Sequence, residues 1–148
     1  MAPPSISNFG AYCIVRACGS TNAVAAGTGD ATAVTGATID RLGYGSGKAV
    51  VSWRTTLAAT KTLSLAVEYQ DSADGTTWNT AVALQASTVM KTGAATDSVD
   101  EVEFSIDFAG LQRYIRINFT PDLSNTATDT VDIGAVLVLG GAETLPAA

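Results

Sequence analysis

The chain has 148 residues and a mass of 15.0 kDa, room for one domain and little more; 47% of it is apolar, enough to fill a core, and only 15% is charged. Its net charge is −6 with no cluster of Lys or Arg, which argues against nucleic-acid binding. It has no histidine, so Ser-His, Cys-His and His-metal chemistry are ruled out, and no apolar run is long enough to span a bilayer.

Ala, Thr, Ser and Gly make up much of the remainder, a composition that favours strands and turns over helices. A surface so poor in charge is easiest to explain if much of it packs against neighbours. The start of the chain, MAPPSISNFGAY, lacks the basic and apolar regions of a secretion signal.

Tyr12–Ala17 is the first strand candidate. An odd offset would then point Cys13 and Cys18 to opposite faces, so a disulfide between them would need a turn. Two cysteines without histidine do not complete a common zinc site, and buried thiols are the expectation. Residues 19–37 (GSTNAVAAGTGDATAVTGA) are small and show neither a helical stripe nor firm alternation. They read as a loop or an extended arm, with room for a short edge strand. A loop of that length tends to be functional or to lie on a partner.

Strand signals then become regular. Thr38–Leu42 is short and leads into a glycine-rich turn, Gly43–Gly47, followed by Lys48–Thr55. The segment GYGSGK at 43–48 lacks the spacing of a phosphate loop. In Lys61–Gln70, Leu63, Leu65, Val67 and Tyr69 alternate with Thr62, Ser64, Ala66 and Glu68, which predicts one buried and one open face.

Next comes YQDSADGTTWNT (69–80). Asp-Gly is a strong hairpin signal, and the stretch reads as a turn anchored by Trp78, whose strand would run over Trp78–Leu84. Two rival readings stand beside it. Asp71 and Asp74 are too few and too irregularly spaced for a standard calcium loop. A glycan platform would need Trp78 exposed beside Tyr69 or Tyr44.

In Glu101–Phe108, Val102, Phe104, Ile106 and Phe108 face one way, and Glu101, Glu103, Ser105 and Asp107 the other. The acidic face reads as solvated or partner-facing; the rival readings are a cation site and a glycosidase pair, and the pair would need a cleft and a raised pKa on one member. In Arg113–Thr120, Ile115, Ile117 and Phe119 point inward, and Tyr114, Arg116 and Asn118 outward. Arg113 and Arg116 fall on opposite faces, and Arg116 would pair with an outward acid of the 101–108 strand if the two strands are neighbours. Pro121–Asn125 reads as a turn. Thr130–Leu139 is apolar on both faces from Ala135 onward, as for a central strand or one covered by another subunit.

These elements predict an all-β chain of about seven or eight short antiparallel strands in a single β-sandwich, jelly-roll-like, with an N-terminal strand and extended arm over 1–37, a sandwich core over 38–139 and an extended tail over 140–148. No catalytic, cofactor-binding or metal-ligating set emerges, and an enzyme is not expected.

The stretch DFAGLQRYIRINFTPDLSNTATDTVDIGAVLVLGGAETLP (107–146) resembles a pattern of small structural proteins of tailed bacteriophages: an L-x-R-Y-[IV]-R strand, a T-P-x-L-S turn, a Thr/Asp-rich link and an apolar strand ending Leu-Gly-Gly-Ala. VEYQDSADGTTWNT (67–80) is similar to the D-G-x-x-W turns of phage β-sandwich proteins. The resemblance covers roughly 61–146 and is strongest to capsid decoration (cement) proteins. It implies a homotrimer on the outer surface of the virion head, assembled in the host cytoplasm with reduced cysteines and clamping subunits of the major capsid protein. Tail or baseplate proteins and a carbohydrate-binding module using Trp78 are the alternatives. The resemblance carries over no set of functional residues.

Overall fold

The computed structural model describes residues 9–94, 97–124 and 128–143. A short 3-10 turn at Phe9–Ala11 precedes eight strands: β1 Ile14–Val24, β2 Ile39–Asp40, β3 Tyr44–Thr56, β4 Thr62–Ser72, β5 Val82–Thr92, β6 Asp97–Asp107, β7 Tyr114–Leu123 and β8 Thr130–Ala142. They form two four-stranded antiparallel sheets, in the orders β1-β8-β3-β6 and β2-β7-β4-β5. The first strand lies beside the last, the second beside the seventh, the third beside the sixth and the fourth beside the fifth. That is one long hairpin rolled up on itself, the jelly-roll arrangement.

Alternation decides which residues fill the space between the sheets. Leu63, Leu65 and Val67 of β4 and Ile115, Ile117 and Phe119 of β7 are buried against Ala49, Val51 and Trp53 of β3 and Leu137 and Leu139 of β8. Each large side chain so buried contributes about 1.5–3 kcal/mol of transfer free energy. Phe108 closes the core beyond the end of β6. It lies so close to β3 that a Cβ on Gly47 would fall 2.5 Å from its Cζ. Gly47 is therefore a strand residue beside a ring, and the expected glycine-rich turn shrinks because β3 already starts at Tyr44.

Several boundaries differ from the sequence reading. The stretch 19–37 divides in two. Residues 19–24 continue β1 along β8, with a bulge between Ala17 and Gly19 that breaks the alternation. Residues 25–37 form a loop that crosses to the second sheet and lies along the open edge of β7. Val34 and Phe119 exchange backbone bonds of 2.8 and 3.2 Å, and the Ala31 N–H donates to Pro121 O at 2.9 Å. The Ala37 N–H donates back to Cys18 O at 2.7 Å. Asp30 ties the loop to itself and to β7, accepting from the N–H of Ala26 at 2.7 Å and of Leu123 at 2.8 Å.

Pro121 does not end β7, which continues to Leu123. Its carbonyl faces the loop and not β4, so the missing N–H falls on the edge side, where a proline is tolerated. β5 starts at Val82 and not at Trp78. Of the expected tail, 140–142 belong to β8, and 144–148 lie outside the described residues. Tyr69 is only partly buried, and Asn118, expected to point outward, is 7% exposed because the loop covers it.

Candidate interaction surfaces

The 69–80 stretch is built as a connection. Gly75 takes φ 76°, which an L side chain resists. Asp74 Oδ1 accepts the N–H groups of Thr77 at 2.7 Å and Thr76 at 2.8 Å, and these donors hold its carboxyl well below the usual carboxylate range. Ser72 Oγ donates to Thr77 O at 2.6 Å and accepts the Gly75 N–H at 2.9 Å. Asp71 accepts from Asn79 Nδ2 at 2.9 Å and from the Gln112 N–H at 2.8 Å. Both acids thus have neighbouring donors that bind the turn together. These contacts also carry the chain past Trp78 before β5 can begin.

Trp78 does not anchor in the core. It is half-buried on the outer face of the second sheet, with the Arg116 guanidinium stacked 4.2 Å from its ring centre. Arg116 Nε and Nη2 donate to Gln70 Oε1 at 3.0 and 2.8 Å. The expected pairing of Arg116 with an acid of the 101–108 strand fails because β6 and β7 lie in different sheets. Tyr44 and Tyr69 pack against the core cluster from separate sheets, so the three aromatic rings form no common platform.

Glu101, Glu103 and Asp107 share the outer face of β6, the edge strand of the first sheet. Glu103 pairs with Lys48 Nζ at 2.6 Å. Asp97 accepts from Thr56 Oγ1 at 2.7 Å and Arg54 Nη2 at 2.8 Å, and these donors, the hydroxyl first, lower its pKa. Exposed pairs of this kind add little stability. A row of acids along a free edge does block another strand from adding there.

The broad outer face of the first sheet is different. Register places Val15, Val138 and Lys48 in one row and Ala17, Val136 and Val50 in the next. Val15 is 55% exposed, and the other valines are half-buried. This apolar strip runs into an open cleft of about 610 Å³ whose lining includes Tyr12, Cys13, Ser46, Ser105 and Val138. The outward valines of β8 were legible in the sequence as a strand apolar on both faces. β8 proves to be central, and its outward valines are half-buried. The valines of β1 and β3 beside it were not singled out, because their meeting depends on strand order.

Neither cysteine is in a disulfide. Cys18 is buried, and burial pushes its thiol pKa up to about 12. Cys13 is half-buried at the mouth of the cleft.

No family model and no curated protein matches the chain. Solved structures of viral particles do. A mutant VP2 protein of infectious bursal disease virus in derived T=1 particles superposes with a TM-score of 0.51 at 14% identity, over 88% of this chain and 32% of that one. A VP2 subviral particle of the same virus gives 0.51 at 12% identity, over 88% and 33%. The T13 particle of that virus gives 0.51 at 15% identity, over 86% and 31%. The chain spans about a third of the length of these proteins. The likeness establishes the fold.

Proposed function

We propose that this chain is a structural virion protein, a capsid decoration protein that binds the outer surface of a tailed-phage head and stabilises contacts between major capsid protein subunits. The observation that carries this reading is the open apolar strip Val15, Ala17, Val50, Val136 and Val138 on the β1-β8-β3-β6 face, beside a row of acids. Such a surface suits broad contact with protein, the acids steering and orienting the approach. The fold shared with capsid proteins and the resemblance of 61–146 to phage structural proteins support it.

In mechanism, the strip would bury apolar surface across the boundary between shell subunits. A protein that binds the assembled lattice and not loose subunits stabilises the lattice by mass action. Three copies joined as a homotrimer would multiply modest contacts through effective concentration. The reading involves no enzyme activity, cofactor, nucleic acid or membrane.

The test is co-sedimentation with heads that lack the protein. The wild-type chain binds and raises the temperature at which heads open. Val15→Asp, a change at an exposed position, folds normally but binds at least about tenfold more weakly. Undiminished binding by Val15→Asp would remove the strip from the interface, and binding to tails in place of heads would overturn the decoration reading.

A further inference from the structure

The opposite face of the sandwich holds a depression of about 370 Å³ where β4 and β5 separate at their bulges. Ala33, Ala66, Ala83, Gln85 and Thr120 line it, and Glu68 also opens onto it. Glu68 is half-buried, and its partner among the described residues is a neutral one, Asn118 Nδ2 at 3.2 Å. The nearby cation Arg116 is turned onto Gln70 and Trp78. Among the described residues, the depression is thus lined by small or neutral side chains around one carboxylate that has no ion-pair partner.

The same sheet carries the complementary charge at its far end. Gly93 N–H donates to Lys61 O at 2.7 Å, and Lys91 pairs with Leu63 in the strand register, so the two lysines share one corner. Among the described residues neither lysine side chain has a hydrogen bond or an ion pair, whereas Lys48, Arg54 and Arg113 are paired with acids. Lys91 is half-buried on the edge strand β5, beside the bulge at Met90.

We infer that the depression receives a lysine side chain from the Lys61/Lys91 corner of a second copy of this chain. The lysine's alkyl stem fits over the alanine methyls while its ammonium meets Glu68, a charge-assisted contact in a partly desolvated site. Donor corner and acceptor depression lie about 17 Å apart along β4, at roughly 3.3 Å per residue. One copy gives and the next receives, and a contact between two different surfaces can close into a ring. The inference deepens the proposed homotrimer and rests on that reading for its symmetry; it does not depend on what the ring binds.

Sedimentation velocity of the full chain, without particles and at low and high salt, tests it. The wild type self-associates, less so at high salt. Glu68→Gln keeps an oxygen for Asn118 and leaves thermal unfolding of the monomer unchanged, but weakens association at least about tenfold, as does Lys61→Gln with Lys91→Gln. Combining Glu68→Lys with Lys61→Glu and Lys91→Glu restores it. A wild type that stays monomeric, or a Glu68→Gln chain that associates equally well, overturns the inference. If the wild type is monomeric and Glu68→Gln lowers binding to heads, the depression serves a shell lysine and self-contact is wrong. Failure to bind heads with self-association intact would instead sink the capsid reading alone.

Discussion

Replacing Gly36 with alanine tests how the 25–37 loop is held. A Cβ there would sit 2.0 Å from Ile117 O and 2.9 Å from Ile117 C, both backbone atoms of β7. A carbon settles no closer than about 3.3 Å to a carbonyl oxygen, so the loop must withdraw by more than about 1 Å. That movement strains the paired bonds between Val34 and Phe119, the Ala37 bond to Cys18 O and the 3.1 Å bond from the Gly36 N–H to Asn118 Oδ1. Each is worth about 0.5–1.5 kcal/mol net, and Asn118 is buried, so the loss should be about 2–4 kcal/mol. For a chain of this size that lowers the melting temperature by roughly 5–15 °C. Calorimetry and urea unfolding read it. Gly140→Ala is the control, because its Cβ would meet nothing closer than Ser46 Oγ at 3.6 Å, and it should stay within about 0.5 kcal/mol of wild type. If Gly36→Ala melts with the wild type, the loop does not lie along β7.

Asp30→Ala removes the acceptor that fastens Ala26 and Leu123 and should cost about 1–2 kcal/mol in urea unfolding. Asp74→Asn should destabilise at neutral pH. Because the folded-state pKa of Asp74 is depressed, that deficit is fully present above the unfolded-state carboxylate range near pH 4 and closes as acid protonates the wild-type carboxylate, which melting curves from pH 7 down to pH 2 will follow. Arg116→Ala uncovers the Trp78 ring, so the tryptophan emission should shift to the red at a stability cost of about 1 kcal/mol, while buried Trp53 continues to emit in the blue. Iodoacetamide at mildly alkaline pH should leave Cys18 unmodified until the chain unfolds, since burial denies it both access and the thiolate form.

Side-chain alternation carried most of the architecture. Leu63, Leu65 and Val67 and, in β7, Ile115, Ile117 and Phe119 declare their buried face in the sequence and occupy it in the fold. What alternation does not encode is what approaches a strand from outside. The bulge at Ala17/Gly19 hid the second half of β1, and the loop over Asn118 buries a residue that reads as outward. Pro121 reads as a stop unless one knows that its carbonyl faces a loop and not a strand. Trp78 drew attention by its size, yet the bonds made by Ser72 and Asp74 delay β5 and leave the ring to Arg116. The valine strip needs residues from three strands, and the Glu68 depression needs β4, β5, β7 and the loop. Neither can be seen without the strand order.

The central proposal is a stoichiometric role on the phage head, and a copy number tests it most directly. Purified particles containing this protein would be digested and quantified by mass spectrometry against isotope-labelled peptides from it and from the major capsid protein. A ratio close to one to one is the expected result. A ratio lower by an order of magnitude, or absence from heads, would contradict a lattice-wide decoration protein.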